Sequence, residues 1–265
     1  MRKPNSLKRR LKDGEIVFGP WCVVSSPSII NIIGAAGMDF VIIDMEHGPA
    51  GFETAEDMVR SAESENCCPL IRVGQRDEPT VLRAFDIGAH GLLIPHVESR
   101  KDAEESVSFS KYYPEGARGF SPYTRAGGYG YLGVKNHAQK ENEETLIGVI
   151  LEGNAGIKNI DSILETTNID LIYIGAYDLS QAMGMPGQVE HPAIKKEMEK
   201  CIRKIRDCGI AAGGYVAKNT DDIKWMIDIG MQFITCLPDA TVIFHAFYDC
   251  VRDFRQVAQE RGKRE

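Results

Sequence analysis

Side chains that can bind a cation or transfer a proton stand where several short apolar runs of this 265-residue chain end. They are the segment Asp44-Met45-Glu46-His47, Arg72, Glu152 and Asp178. Carboxylates can hold a hard cation, an imidazole can move a proton near neutral pH, and a guanidinium can stabilise a developing negative charge. Brought together, these groups could form and stabilise an enolate.

Glu152 and Asp178 are the candidate metal ligands. Two carboxylates with little competing imidazole or thiolate suit a hard, octahedral ion such as Mg²⁺ or Mn²⁺, which retains some of its water ligands. Spacing alone leaves an alternative open, in which Asp178 caps the amino end of a helix and Glu152 forms an ion pair.

His47 is the candidate general base, because imidazole can accept and release a proton near neutral pH. Asp86, in the helix after the third apolar run, could orient it; the alternative is a purely structural histidine.

Arg72 could bind an enolate oxygen or a carboxylate, or could pair with Asp44 or Glu46. No lysine ends an apolar run and no Gly-x-Ser-x-Gly motif occurs, which argues against a Schiff base and a serine nucleophile.

Apolar runs alternate with amphipathic segments, which is the pattern of βα units around a parallel sheet. The runs predicted as strands are residues 16–24, 39–46, 69–73, 91–97, 146–152, 171–175, 211–216 and 232–238. The segments predicted as helices are residues 28–36, 54–65, 78–87, 100–112, 155–165, 192–208 and 220–229. This order predicts an α/β fold: a single (β/α)8 TIM barrel over residues 1–265, with a leading helix and an extra carboxyl-terminal helix. Such barrels carry their active sites at the carboxyl ends of the strands.

One predicted connection is much longer than the others. Residues 98–145 contain a helix and then a glycine-rich stretch at 116–130, which predicts a loop rather than a ninth unit. A loop of this length in a compact domain usually carries function. Residues 240–265 are predicted as a final helix with a solvated charged tail.

Composition excludes several classes of function. The formal charge of −7 and the pI near 5.5 do not favour a nucleic acid partner. The basic residues near the amino terminus lack interleaved aromatics, so they predict a solvated leading helix rather than a nucleic-acid-binding arm. They are Arg2, Lys3, Lys8, Arg9, Arg10 and Lys12.

No stretch approaches about 20 apolar residues, so neither a membrane span nor a secretory signal is expected. The seven cysteines form no Cys-x-x-Cys pair, which indicates free thiols in a reducing cytoplasm.

At these residues the sequence resembles the HpcH/HpaI aldolase family, the metal-dependent class II pyruvate aldolases that act on 2-oxo acids. The resemblance extends over nearly the whole chain. The segments that carry it are residues 7–14, Phe18-Gly-Pro-Trp21, Ile43-Asp44-Met-Glu46-His47-Gly-Pro, Ile71-Arg72-Val, Phe85-Asp86-Ile-Gly-Ala89, Leu93-Ile-Pro95, Leu151-Glu152 and Ile174-Gly175-Ala-Tyr-Asp178-Leu-Ser180.

The resemblance implies reversible cleavage of a 4-hydroxy-2-oxo acid into pyruvate and an aldehyde, through a pyruvate enolate held by the metal. Glu152 and Asp178 would bind the divalent ion (Mg²⁺, Mn²⁺ or Co²⁺). His47, supported by Asp86, would move the proton at C3 of pyruvate, and Arg72 would stabilise the enolate. The family also implies a homo-oligomer, commonly a hexamer with exchanged carboxyl-terminal helices.

Other residues are expected to contact the substrate. Backbone amides near Ala176 to Asp178 would hold the carboxylate of pyruvate, as the family resemblance implies, and Gly175 is also expected at the substrate. Four features depart from the usual family pattern and could line the pocket for the aldehyde. They are His96 in place of an apolar residue, Tyr177 where alanine is frequent, Asp239 in Leu237-Pro238-Asp239, and a tyrosine-rich loop that contains Arg125.

Three functions are compatible with the sequence. The first is the aldolase reaction. The second is a synthase on the same scaffold, which joins an enolate to a keto acid, or a decarboxylase of oxaloacetate. The third is a catalytically idle barrel that serves in binding. Because all five proposed catalytic and metal-binding residues are present, the third is the weakest.

Overall fold

Eight parallel strands, paired in chain order, close into a barrel in the computed structural model, which describes residues 5–131 and 137–262. The strands are β1 (Val17–Cys22), β2 (Phe40–Asp44), β3 (Cys68–Arg72), β4 (Gly91–Val97), β5 (Leu146–Leu151), β6 (Leu171–Ile174), β7 (Ala211–Ala217) and β8 (Phe233–Cys236). Pairing of β1 with β8 completes the closure. The predicted fold class is therefore confirmed.

Helices connect consecutive strands, and one further helix precedes β1 and another follows β8. They are α1 (Ser6–Lys12), α2 (Pro27–Ala35), α3 (Phe52–Ser64), α4 (Glu78–Asp86), α5 (Arg100–Ser110), α6 (His137–Glu144), α7 (Gly153–Lys158), α8 (Ile160–Ile163), α9 (Ala176–Ala182), α10 (Pro192–Asp207), α11 (Thr220–Asp228) and α12 (Asp239–Gly262). Side chains of Asp77, Ser99 and Asn219 accept hydrogen bonds from backbone amides and so begin α4, α5 and α11.

The strands are buried on both faces, so their side chains divide between two layers of core. Phe40 points into the barrel, where its ring stacks on Phe233 at 4.1 Å between centroids. Its neighbour Val41 packs outward against the helices. Such alternation explains the continuously apolar strand segments, because each face meets an apolar layer.

Helix α1 closes the amino end of the barrel. Leu7 and Leu11 are buried and pack with the side chains that fill the barrel interior. The predicted leading helix is therefore present, with Arg9 and Lys12 exposed, but only one face is solvated, because Leu7 and Leu11 recur at helical spacing on the other face. The basic residues Arg2 and Lys3 lie outside the described residues.

Three helical segments differ from the predicted pattern. The connection between β4 and β5 contains α6 after its loop, although this helix has few apolar residues to reveal it. Helix α9 begins immediately after β6 and was not predicted. The segment predicted as one helix at 155–165 is two short helices, α7 and α8, separated at Asn159. Short helices carry too few turns for a clear apolar period.

Within residues 5–131 and 137–262, no helix is both long and apolar enough to cross a membrane.

Candidate active site

A cavity of about 540 Å³ opens at the carboxyl ends of the strands. Most of the predicted site residues line it: His47, Arg72, His96, Glu152, Gly175, Ala176, Tyr177 and Asp178. Trp21 and Tyr173 also line it and pack edge to face at 5.4 Å. Strand ends thus bring together side chains that are distant in sequence.

Arg72, the last residue of β3, is held by two carboxylates. Its Nε donates a hydrogen bond to Asp44 Oδ1 at 2.9 Å, and Nη2 donates to Asp44 Oδ2. Its Nη1 lies 3.1 Å from Glu46 Oε2. The guanidinium also lies 4.6 Å from the centre of the Trp21 ring. Arg72 therefore forms the ion pairs with Asp44 and Glu46 that were the alternative to substrate binding. It also lines the cavity.

Asp44 organises the turn after β2 and was predicted only as a possible ion-pair partner of Arg72. Its side chain is buried, and Oδ1 accepts hydrogen bonds from the backbone amides of Glu46 at 3.0 Å and His47 at 3.1 Å. These bonds direct Glu46 and His47 towards the cavity. The sequence feature that could have indicated this role is an acidic residue at the end of a buried strand, Asp44, followed two residues later by a second acid, Glu46.

Glu46, His96 and Glu152 form a cluster of possible metal ligands. One donor atom from each residue lies within 4.8 Å of the others. His96 Nε2 is 2.9 Å from Glu46 Oε1, and its Nδ1 is 2.8 Å from Glu152 Oε2. Glu46 was predicted only as a possible ion-pair partner of Arg72, and His96 only as a contact for the aldehyde. The predicted ligand Asp178 lines the same cavity but lies outside this cluster.

Glu152 follows β5 and is mostly buried. Burial raises the pKa of Glu152; the adjacent His96 opposes this, whereas the negative charges of Glu46 and Asp178 add to it. Asp178 lies in the first turn of α9 beside Gly175, where a Cβ atom would come within 2.8 Å of Asp178 Oδ2. Glycine therefore leaves space for this carboxylate, and the concentrated negative charge suits a cation.

His47 and Asp86 lie at opposite ends of the barrel in one chain, which corrects the expected pairing. His47 is exposed at the cavity, and its side chain has no hydrogen-bond partner within the described residues. Asp86 ends α4, which begins at the carboxyl end of β3 and descends for about 1.5 Å per residue towards the amino end of β4. There Asp86 accepts a hydrogen bond from the buried Arg118 at 2.9 Å.

Arg125 and Asp239 also have other contacts than those expected. Arg125 Nη2 donates a hydrogen bond to Glu63 at the end of α3, on the amino side of the barrel. The loop that contains Arg125 follows a helix, and such connections lie opposite the strand ends. Asp239 is buried and accepts hydrogen bonds from the amides of Val23, Val24 and Ala240, at 2.9, 3.1 and 2.7 Å. Its carboxylate joins β1 to α12 and does not line the cavity.

A second polar cluster lies at the rim of the cavity. Lys218 and Tyr215 both line the cavity and both contact Glu190; the distance from Lys218 Nζ to Glu190 Oε1 is 2.7 Å. Lys195 Nζ lies 3.0 Å from Glu190 Oε2. The hydrogen bond from Lys218 is the main cause that lowers the pKa of Glu190 to about 2. No residue of this cluster was predicted. Lys218 directly follows β7, two residues beyond the predicted strand end at 216, so a lysine does stand at a strand end, contrary to the expectation.

This fold and this site define a barrel enzyme whose acidic, imidazole and guanidinium groups converge at the strand ends. The chain belongs to the HpcH/HpaI aldolase/citrate lyase family, whose model matches residues 18–246. The predicted family is confirmed.

Two relatives are aldolases by name. A hydroxypyruvate/pyruvate aldolase of Roseobacter denitrificans is 33% identical over 244 residues, which cover 91% of this chain and 93% of the relative. A 5-keto-4-deoxy-D-glucarate aldolase of Shigella boydii is 29% identical over 253 residues, which cover 96% and 97%. The prediction of a carbon–carbon lyase is confirmed at the level of enzyme class.

Solved structures share the same architecture. A family protein from Burkholderia cenocepacia J2315 has a TM-score of 0.88 at 28% identity, covering 95% of this chain and 99% of that chain. The citrate synthase SbnG has a TM-score of 0.86 at 28% identity, covering 96% and 99%. The family fold therefore carries both aldolases and a citrate synthase.

Proposed function

We propose that this chain is a class II aldolase that uses a divalent metal ion to cleave a 4-hydroxy-2-oxo acid reversibly into pyruvate and an aldehyde. The observation that carries the proposal is the convergence of Glu152, Asp178, Arg72 and His47 on one cavity. The names of the two aldolase relatives support it.

The donor set fits a divalent ion at Glu152 and Asp178. Both carboxylates line the cavity, their charges influence each other, and Gly175 leaves room beside Asp178. When bound, a divalent ion supplies positive charge that favours the enolate of a 2-oxo acid. Mg²⁺, Mn²⁺ and Co²⁺ are the proposed ions, because the proposed ligands are oxygen atoms from carboxylates.

Arg72 stabilises negative charge on the reacting oxygen in this proposal. A guanidinium has five N–H donors, and the three that face Asp44 and Glu46 fix its position. The others are available to a substrate in the cavity. A donor that is oriented before the reaction stabilises developing charge without reorganisation.

His47 is the proposed group that takes and returns the proton at C3 of pyruvate. Its exposed imidazole lines the cavity, while Asp44 holds its backbone amide. The first turn of α9, with the backbone of Gly175, Ala176 and Tyr177, is the proposed contact for the substrate carboxylate. Among residues 5–131 and 137–262 no side chain caps this helix, which leaves its first amides available to a ligand.

The aldehyde is proposed to lie towards Tyr177, which is exposed at the cavity. Lys218 stands at the same rim and offers N–H groups beyond the one that faces Glu190, whereas the hydroxyl of Tyr215 already donates to Glu190. A polar, hydroxylated or acidic aldehyde fits this lining better than a long apolar one.

A synthase or oxaloacetate decarboxylase is the second candidate, favoured by the similarity to a citrate synthase. Product analysis separates the two. The enzyme is incubated with Mn²⁺, pyruvate and a panel of short aldehydes, and separately with oxaloacetate, and products are identified by mass spectrometry. We expect 4-hydroxy-2-oxo acids from the aldehydes. Loss of oxaloacetate without any aldol product would contradict the aldolase proposal and favour the second candidate.

A homo-oligomer, expected to be a hexamer, is also part of the proposal. Apolar side chains remain exposed along α12 at helical spacing: Phe244, Phe247, Tyr248, Val251 and Phe254. An apolar stripe of this kind is usually covered by another surface. Asp86 and Arg125 could act in catalysis only at the site of a second copy, since each chain places them away from its own cavity.

We further propose that the enzyme works in the cytoplasm with a small 2-oxo acid as its partner. All seven cysteines are free thiols, which suits a reducing compartment. Cell fractionation with an antibody against the chain would test the location, and recovery in an exported fraction would contradict it.

A further inference from the structure

His96 lies between two carboxylates that face the cavity. Its Nδ1 is 2.8 Å from Glu152 Oε2, and its Nε2 is 2.9 Å from Glu46 Oε1. Nearly two thirds of the His96 side chain is exposed, at 63%, whereas Glu46 and Glu152 are exposed by only 12% and 14%. The imidazole therefore lies on the solvent side of two mostly buried acids.

The backbone of β4 is distorted where it presents this imidazole. Ile94 pairs with Val149 and Val97 pairs with Leu151, so β4 has one residue more than β5 between these pairs. His96 lies in this irregularity with φ of 57°, a left-handed conformation that is uncommon for residues other than glycine. Irregularities of this kind redirect side chains and are frequent beside active sites. A regular strand would point residue 96 elsewhere.

Both nitrogens of His96 have a role if one of them binds a cation. A histidine that binds a metal almost always donates its other ring N–H to a carboxylate or a carbonyl, which fixes the tautomer and the ring orientation. Here Nε2 faces Glu46, and Nδ1 faces the proposed ligand Glu152. The alternative without a metal is a protonated imidazole that donates one N–H group to each carboxylate, and the experiments below separate the two arrangements.

We propose that His96 is a third protein ligand of the divalent ion, through Nδ1, while Nε2 donates a hydrogen bond to Glu46. The proposal rests on the proposed function, because it requires the ion at Glu152 and Asp178. A nitrogen donor added to two carboxylates favours Mn²⁺ and Co²⁺ over Mg²⁺, since Mg²⁺ prefers oxygen ligands alone. His96 therefore selects the metal rather than the aldehyde.

Electron spin echo spectroscopy of bound Mn²⁺ tests the contact directly, because a coordinated imidazole nitrogen modulates the echo. We expect a ¹⁴N modulation in the wild-type protein, and the ¹⁵N pattern after histidine is labelled. His96→Asn should remove the histidine signal, since asparagine tolerates a left-handed backbone and offers an amide oxygen. His96→Gly, which also suits this backbone, is a second variant in case the first does not fold.

His47→Gln is the matched control, because His47 is the other histidine that lines the cavity. The nitrogen modulation should persist in this control. Persistence in His96→Asn and His96→Gly, or loss in His47→Gln alone, would overturn the assignment to His96. Mn²⁺ binding that depends on Glu152 but gives no nitrogen signal would overturn it and leave the proposed metal site intact. Failure to bind Mn²⁺ at all would contradict both proposals.

Calorimetric titration with Co²⁺ and Mg²⁺ tests metal selection without any assay of activity. In His96→Asn, the dissociation constant for Co²⁺ should rise by about tenfold or more, while that for Mg²⁺ changes far less. Equal weakening of both ions would show that His96 does not select between them and would overturn that part of the proposal.

Discussion

Arg72 is oriented before any substrate binds. Asp44 accepts two of its N–H groups and is itself fixed by the amides of Glu46 and His47. Asp44 therefore links the side chain of Arg72 to the backbone of His47, so the positions of the two residues depend on each other. Catalysis by charge stabilisation depends on such fixed donors, so a displaced cation should slow the reaction even where the positive charge is kept.

Arg72→Lys tests this orientation. Lysine keeps the charge but has no planar fork to match Asp44, so kcat/KM for aldol cleavage should fall by about 10²–10³-fold. Steady-state kinetics with the best substrate measures the effect. Arg76→Lys is the matched control, because Arg76 also pairs with two carboxylates, Asp102 and Glu105, and does not line the cavity. Equal activity of Arg72→Lys and wild type would argue against its proposed role.

Glu152→Gln tests the proposed metal site. The amide retains the size of the side chain but removes a negative ligand, so Mn²⁺ affinity should fall by about tenfold or more. Isothermal calorimetry reports the dissociation constant. Glu98→Gln is the control, since Glu98 is an exposed acid after β4 and does not line the cavity. If both variants bind Mn²⁺ like the wild type, Glu152 is not a ligand.

At the scale of elements, the direction of each helix decides where its last residue lies. Helix α4 carries Asp86 to the amino end of the barrel, where the wholly buried side chain of Arg118 donates a hydrogen bond to it. Arg118 also stacks on Phe85 and Tyr112, at 4.8 and 4.5 Å from the ring centres. This pair attaches the long connection after α5 to the barrel.

Arg118→Ala should destabilise the fold. Removal of the guanidinium leaves the half-buried Asp86 without its ion-pair partner and takes away two ring contacts, at a cost of about 3 kcal/mol. Urea denaturation followed by circular dichroism measures the change. Arg100→Ala serves as the control: its pairs with Glu104 and Glu165 are exposed, so its effect should stay below about 1 kcal/mol. Similar losses in the free energy of unfolding for the two substitutions would mean that the ion pair with Asp86 stabilises the fold no more than an exposed pair does.

The alternation of strands and helices could be predicted because apolar runs and amphipathic periods are local properties of a sequence. The position of Glu152 and Asp178 at strand ends followed from them. The partners of Asp86, Arg125 and Asp239 did not, because they depend on contacts between distant segments. Topology does carry part of this information: residues at helix ends, such as Asp86, must lie away from the strand ends.

The turn after β2 shows a different limit. Asp44 and Glu46 stood in the same motif as His47, yet motif and spacing do not indicate that both acids line the cavity or that Asp44 is the more deeply buried of the two. The irregularity in β4 that turns His96 towards Glu152 has no clear local signal either. Side-chain direction at a strand end depends on one residue of register, and short apolar runs do not specify register so finely.

At the level of the whole molecule, α12 leaves much of its apolar surface exposed in a single chain. Its exposed apolar stripe would be costly in water, and a second copy is the proposed cover. Phe247→Glu combined with Phe254→Glu should therefore reduce the assembly to smaller species. Light scattering after size-exclusion chromatography gives the mass.

Asp249→Lys is the control for this experiment, because Asp249 is an exposed charged residue of the same helix. It should leave the mass unchanged. A wild-type protein that is monomeric at micromolar concentration would contradict the proposed homo-oligomer, whatever the variants do.

The central claim is that the cavity makes an enolate from pyruvate with the help of a divalent ion. The most direct test is deuterium exchange at C3 of pyruvate in D2O, followed by proton NMR, with Mg²⁺, Mn²⁺ or Co²⁺ and then with EDTA. We predict exchange with metal, loss of exchange with EDTA and recovery when metal is added in excess. Exchange that survives EDTA, or no exchange with any of the three ions, would contradict the claim.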